Sequence, residues 1–195
     1  MIMRLPRLVL FLSALLVGLI LLATTLLITN SQRQSQNNVA IGGPFRLITH
    51  NGLEVSDKDF LGRPVLVFFG YTHCPDICPT KLLEVSEIFR ALGPDKKING
   101  LFVTIDPERD TPALLKDYLS SFDSRIVGLT GSQEAILAAE KSFRVYARKV
   151  DTGESGYTMD HTALVYLMDR QGRFINVFNT EQDPIGAAKA LAPYL

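Results

Sequence analysis

An apolar strand pattern, Pro64–Phe69, gives way after one short loop to a helical pattern, Thr80–Leu92, and this junction constrains the chain more than any other stretch. Val65-Leu66-Val67-Phe68-Phe69 is apolar at every position, as a central strand buried on both faces requires. In Thr80–Leu92 the residues Leu82, Val85, Ile88, Phe89 and Leu92 recur at the helical period, and Gly93-Pro94 ends the pattern. The loop between them, Gly70-Tyr71-Thr72-His73-Cys74-Pro75-Asp76-Ile77-Cys78-Pro79, carries the only two cysteines of the chain. Two thiols are too few to staple a fold together. Placed where a strand turns into a helix, they form either a redox couple or part of a metal site.

The remaining patterns predict an α/β domain over residues 41–195. Asn51-Gly52 between Phe45–Thr49 and Leu53–Val55 predicts an N-terminal hairpin, with His50 a solvated turn residue. Ser56 or Asp57 caps a helical turn. Ile98–Ile105 and Ile126–Leu129 are strands, and Val145–Val150 is a further short one. Thr111-Pro112 opens one helix, Ser132 caps another that runs to Phe143, and Asp183-Pro184 opens the last. Asp151–Met159 is polar and glycine-containing and reads as a long loop; Thr162–Met168 and Phe174–Phe178 read as the two strands of a returning hairpin. A β-α-β unit followed by β-β-α is the thioredoxin arrangement, here with an N-terminal β-hairpin extension and an inserted strand-helix segment.

Leu8–Ile28 carries no charge and is long enough to span a bilayer, which takes about 20 apolar residues. It exceeds the 7–15 residues, roughly, of a cleaved signal's apolar region, and no cleavage motif of small residues follows it. Arg4 and Arg7 precede it with no acidic residue, so the positive-inside rule places the N-terminus in the cytoplasm and the remainder outside. The expected organisation is a signal anchor over residues 1–29, preceding the thioredoxin-like fold as one transmembrane helix. A flexible polar tether follows over residues 30–40, then the domain over residues 41–195. A bacterial inner membrane with the domain in the periplasm fits best. Net charge is zero and no basic patch is evident along the sequence, so nothing points to nucleic acid.

A helix starting near Asp76 or Cys78 aims free N–H groups at the thiols and favours thiolate. Asp76 is a candidate N-cap and a candidate tuner of the sulfurs. Redox members of the thioredoxin fold use Cys-x-x-Cys; the extra residue here widens the pair, which a shared metal tolerates better than a disulfide does. Two thiolates leave a site incomplete, and His161 is the best third ligand. It directly precedes Thr162–Met168, where thioredoxin-like redox proteins keep a proline that this chain lacks. Two thiolates and an imidazole suit copper, as Cu(I) or Cu(II). His73 and Met159 are weaker candidates.

Gly70 through Pro79, the stretch Thr104-Ile105-Asp106-Pro107-Glu108-Arg109-Asp110-Thr111-Pro112, and Asp160-His161-Thr162 ahead of an apolar strand together resemble the Sco/SenC family of copper-binding proteins of cytochrome c oxidase assembly. The resemblance covers residues 40–195. It implies copper bound by Cys74, Cys78 and His161, with Asp76 and Asp160 as polar neighbours of the ligands. It also implies a membrane-anchored metallochaperone, without turnover, acting on the CuA domain of cytochrome c oxidase subunit II. Other periplasmic copper chaperones and thioredoxin-like reductants are further expected partners. The competing reading is a thiol-disulfide oxidoreductase that reduces the CuA-site cysteines through Cys74 and Cys78. A thiol peroxidase is disfavoured, because Tyr71 rather than a threonine stands three residues before Cys74. Residues 106–112 are expected to brace the site.

Overall fold

The computed structural model describes residues 15–25, 41–153 and 156–195. The chain divides into two units, Met1–Val39 and Ala40–Leu195. In the first, residues 15–25 form a helix, α1, with exposed side chains. The hydroxyls of Thr24 and Thr25 donate back to the Leu21 carbonyl. This helix covers only part of the expected span Leu8–Ile28. The rest of that span, and the tether after it, lie outside the described residues. Among the described residues, no helix is long and apolar enough to cross a membrane.

The second unit is built on a seven-stranded sheet in the order β2-β1-β5-β4-β3-β8-β9. Its centre is β3 (Val65–Gly70), flanked by β4 (Asn99–Thr104) in parallel and β8 (Val165–Met168) antiparallel. Every residue of β3 is buried, as its unbroken apolar sequence demands. Its side chains alternate between faces. Phe69 meets Phe143 of α4 (Gln133–Phe143), while Phe68 meets Phe102 and the ring of His161. From β3 the chain passes through α2 (Ile77–Leu92) to β4, then through α3 (Pro112–Leu119) to β5 (Ile126–Thr130), giving three parallel strands. β8 and β9 (Phe174–Val177) form the returning hairpin, and α5 (Pro184–Leu191) packs on α2. The N-terminal hairpin, β1 (Arg46–Thr49) and β2 (Glu54–Ser56), joins the sheet at β5. This is the thioredoxin arrangement with the expected hairpin and insertion.

The expected caps are in place. Thr111 Oγ1 accepts from the Leu114 N–H, Ser132 Oγ from Ala135, and an Asp183 carboxylate oxygen from Gly186. Ser56 and Asp59 form a capping box on a 3-10 turn, Asp57–Phe60.

The cysteine-side helix starts at Ile77, within the start expected near Asp76 or Cys78 and ahead of the apolar pattern Thr80–Leu92, so Cys78 and Pro79 belong to its first turn. Two boundaries differ from expectation, and both bear on the site. Strand β8 starts at Val165 rather than Thr162. The stretch expected as a loop, Asp151–Met159, ends in a strand, β7 (Tyr157–His161), paired antiparallel with β6 (Ala147–Asp151). Together they make a two-stranded ribbon separate from the main sheet. Strand β6 answers to the short strand expected over Val145–Val150, whereas the residues of β7 are half-buried or exposed and lack the apolar signature by which sequence reveals a strand.

Candidate metal centre

The cysteine loop leaves the C-terminal end of β3, and the 106–110 loop leaves the adjacent end of β4. Ligand sites in parallel sheets form at these carboxyl ends. The ribbon β6–β7 brings the third component. His161 closes β7, and its Nε2 lies 3.7 Å from Cys78 Sγ. The donor atoms of Cys74, Cys78 and His161 all lie within 4.8 Å of one another. Among the described residues, no other group of three or more His, Cys, Asp and Glu side chains converges this way.

Local sequence explains how each donor is held. Gly70 ends β3 directly beneath Cys78; a Cβ there would stand 2.8 Å from Cys78 Sγ and 2.7 Å from the Phe102 ring. Only glycine leaves room for the sulfur to lie over the strand end. Cys78 is fully buried in the first turn of α2, whereas Cys74 precedes the helix and is half-buried. The pair therefore does not occupy successive turns of one helix. Instead the Cys78 N–H donates to Cys74 Sγ at 3.4 Å. Asp76 stands at the N-cap position but makes no capping bond; the sulfur of Cys74 takes up a helix-terminal donor in its place.

His161 Nδ1 lies 3.0 Å from the Thr162 carbonyl. A carbonyl only accepts, so Nδ1 carries the proton and Nε2 presents its lone pair to the sulfurs. This is the arrangement that orients a metal-binding imidazole. The backbone of Thr162, not the Asp160 carboxylate, makes this orienting contact. Asp160 points away on the other side of the strand and lies 3.7 Å from Arg148, both of them exposed. Burial lowers the His161 pKa, with the Thr162 bond and the Asp160 charge opposing, so the neutral, ligating form is favoured. Burial pushes the Cys78 thiol strongly up, against the expectation that the helix start would favour thiolate on both sulfurs. A thiol that coordinates a metal loses its proton outright, so a soft cation held by these three residues would convert Cys78 to a thiolate.

A second layer of polar contacts locks the three loops together. Asp110, fully buried, accepts from the Thr72 N–H, the Thr72 hydroxyl (2.6 Å) and the Thr104 hydroxyl (2.6 Å). Burial raises its pKa while these bonds oppose the shift. Asp106 pairs with Arg109 and accepts from the Tyr157 hydroxyl at 2.8 Å. The Arg109 guanidinium lies 3.7 Å from the Tyr157 ring centroid and donates to the Tyr157 carbonyl. The 106–112 loop thus braces the site, as expected. Within it Arg109 and Asp110 make the bracing contacts, whereas Tyr71 and Tyr157 are site residues that the sequence reading did not single out. One signal was available: Tyr157, Met159 and His161 alternate as a strand presenting one face would.

The weaker candidates stand apart or at the rim. His73 is exposed and bonded to the Thr72 hydroxyl. Met159 lines the same depression of about 260 Å³ as Cys74 and His161. His50 is not a free turn residue: its Nδ1 accepts from the Gly128 N–H at 2.9 Å, tying the hairpin turn to β5.

Residues 33–195 match the family model described as SCO1/SenC. The chain is 40% identical over 152 residues to a SCO2-like protein of Rickettsia felis, covering 76% of this chain and 74% of that one. It is 40% identical over 159 residues to the mouse mitochondrial SCO1 homolog, covering 80% of this chain but only 56% of the mouse protein's length. Among solved structures, Bradyrhizobium japonicum ScoI with copper bound superposes with a TM-score of 0.78 at 57% identity, covering 80% of this chain and all of that one.

Proposed function

The chain belongs to the SCO1/SenC family, and on that premise we propose that it is a copper metallochaperone whose Cys74, Cys78 and His161 hold one copper ion as cargo. One observation carries this: three donors from two separate segments, the loop-to-helix junction after β3 and the end of β7, meet within 4.8 Å, with the histidine tautomer already set for ligation. The donor chemistry fits copper. Thiolates select Cu(I), and the imidazole accommodates Cu(II) as well. The copper-bound Bradyrhizobium relative at 57% identity supports the same reading. The recipient is the CuA domain of cytochrome c oxidase subunit II, as the family resemblance implies. Periplasmic copper chaperones supply the ion, and thioredoxin-like reductants keep the cysteines as thiols.

Arg4, Arg7 and the uncharged run Leu8–Ile28 support a single N-terminal anchor in a bacterial inner membrane, with the metal-binding domain in the periplasm. Residues 1–29 are the anchor, 30–40 the tether and 41–195 the functional domain.

The test is a copper titration of the reduced full-length protein beside its H161A, C74S and C78S variants. The expected result is one copper per chain, with at least a tenfold loss of affinity in H161A and no tight site in either cysteine variant. Unchanged affinity in H161A would overturn the three-ligand site.

The inequivalence of the cysteines favours a second, companion role as a thiol-disulfide reductase. Cys74 is accessible and receives a helix-terminal N–H; Cys78 is sealed beneath it. In this role the Cys74 thiolate attacks a disulfide of the recipient and releases one of its sulfurs as thiolate. Cys78, giving up its proton, then attacks Cys74 in the mixed disulfide. The recipient leaves as a dithiol and this chain keeps a Cys74–Cys78 disulfide, to be reduced by a dithiol reductant. Loss of disulfide reduction in C74S with retention in H161A separates this role from metal transfer.

A further inference from the structure

The copper site of the preceding reading depends on a ribbon that the main sheet does not hold. Strands β6 and β7 pair only with each other. His161 sits at the end of β7, 83 positions along the chain from Cys78. Its place against the sulfurs therefore comes from ties between the ribbon and the loops that follow β3 and β4. Tyr71 supplies the most direct of these. It lies three residues before Cys74 and is 2% exposed. Its hydroxyl shares a 2.8 Å hydrogen bond with Thr158 Oγ1 and accepts the Met159 N–H at 3.4 Å. Both partners lie within three residues of His161 on the same strand. The Tyr71 ring also meets the His161 ring edge-on, with centroids 5.9 Å apart and planes at 84°. One side chain thus contacts the strand of the third ligand at successive residues, while its own backbone begins the loop that carries the first two.

We propose that Tyr71 is a positioning residue for the metal centre: its phenol oxygen fixes the end of β7 so that His161 Nε2 meets the two sulfurs. The ring alone does not do this. An apolar ring of the same size would fill the space but lose both directional ties at Thr158 and Met159, leaving the Asp106 and Arg109 contacts to hold only the start of β7 at Tyr157. The proposal rests on the three-ligand reading, and the experiment below separates the two.

The test is a double-mutant cycle on the reduced full-length protein, with copper affinity measured for the parent, Y71F, H161A and the Y71F/H161A pair. Phenylalanine keeps the packing and removes only the hydroxyl. Loss of one or two hydrogen bonds predicts roughly five- to twentyfold weaker binding in Y71F. It predicts less than a twofold further change when Y71F is added to H161A, since the histidine through which the hydroxyl acts is gone. T158V, which removes one of the two partners and lies outside the metal ligands, gives an intermediate loss that also vanishes in the H161A background. An equal loss in both backgrounds, or no loss in Y71F, overturns the assignment. The three-ligand reading is judged separately, by whether H161A alone weakens binding. In Cu(II)-loaded protein, Y71F also alters the nitrogen hyperfine pattern contributed by His161, a change that loss of stability alone does not produce.

Discussion

The backbone N–H of Cys78 points at the sulfur of Cys74, 3.4 Å away. The two thiols so close in sequence are therefore different chemical objects. Cys74 lies ahead of the helix, half-buried, and draws on the field of the helix start. Cys78 lies inside the first turn, fully buried over the end of β3. Either function asked of the pair, transfer of a metal or of electrons to a partner, begins at the reachable sulfur.

Alkylation should report this difference. In the reduced, metal-free chain at neutral pH, iodoacetamide is expected to modify Cys74 at least tenfold faster than Cys78, because burial withholds Cys78 from the reagent and keeps its proton in place. Peptide mass analysis against time reads the two rates. Preferential labelling of Cys78 would contradict the geometry.

Gly70 should tolerate no side chain. A methyl group in the Gly70→Ala variant meets Cys78 Sγ at 2.8 Å and the Phe102 ring at 2.7 Å, both in the tightly packed core. Overpacking of this kind costs about 1–3 kcal/mol. The same displacement moves Cys78 from its partners, so copper affinity falls together with stability. Urea unfolding and copper titration of the variant measure both; a variant with parental values for each would show that the sulfur has room to move.

Stability should fall as pH rises from 4.5 to about 7, and Glu140 is the source. It lies on α4, is 6% exposed, and burial pushes its carboxyl up to about 7 from an ordinary 4.5. Between these values the unfolded chain has lost the proton and the folded chain keeps it. The folded state therefore binds more protons, and stability declines with rising pH across this window. The penalty is absent below pH 4.5 and complete above pH 7, at roughly 2–3 kcal/mol. In E140Q this decline is expected to disappear. Urea unfolding at pH 4.5, 6 and 8 tests it: the gap between variant and parent should widen in favour of the variant as pH rises. A pH-independent gap would rule Glu140 out.

Much of the domain was legible because its signals are local. Val65–Phe69 had to be a central strand, since no other element buries five consecutive apolar residues so economically. Thr111, Ser132 and Asp183 marked helix starts because a short polar side chain ahead of an amphipathic run satisfies the free N–H groups. Of the ribbon, β6 was expected as a short strand over Val145–Val150, but β7 and the pairing of the two escaped notice for the opposite reason. Ala147–Asp151 and Tyr157–His161 bury little, and their pairing is with each other rather than with any pattern visible nearby. Asp76 showed how a sound local rule fails: it occupies the N-cap position, but a sulfur two residues earlier takes a helix-terminal N–H.

By itself the sequence determined the α/β architecture and the strand-to-helix junction that holds Cys74 and Cys78, and it singled out three soft and borderline candidate donors that the fold brings within 4.8 Å of one another. These follow from hydrophobic period, capping chemistry and ligand type, which are properties of residues and their near neighbours. Only the tertiary structure decided that Cys74 and Cys78 differ, that Thr162 rather than Asp160 orients His161, and that Tyr71, Arg109 and Asp110 bind the loops into one site. Those outcomes depend on burial and on contacts between residues distant along the chain, and no local pattern encodes them.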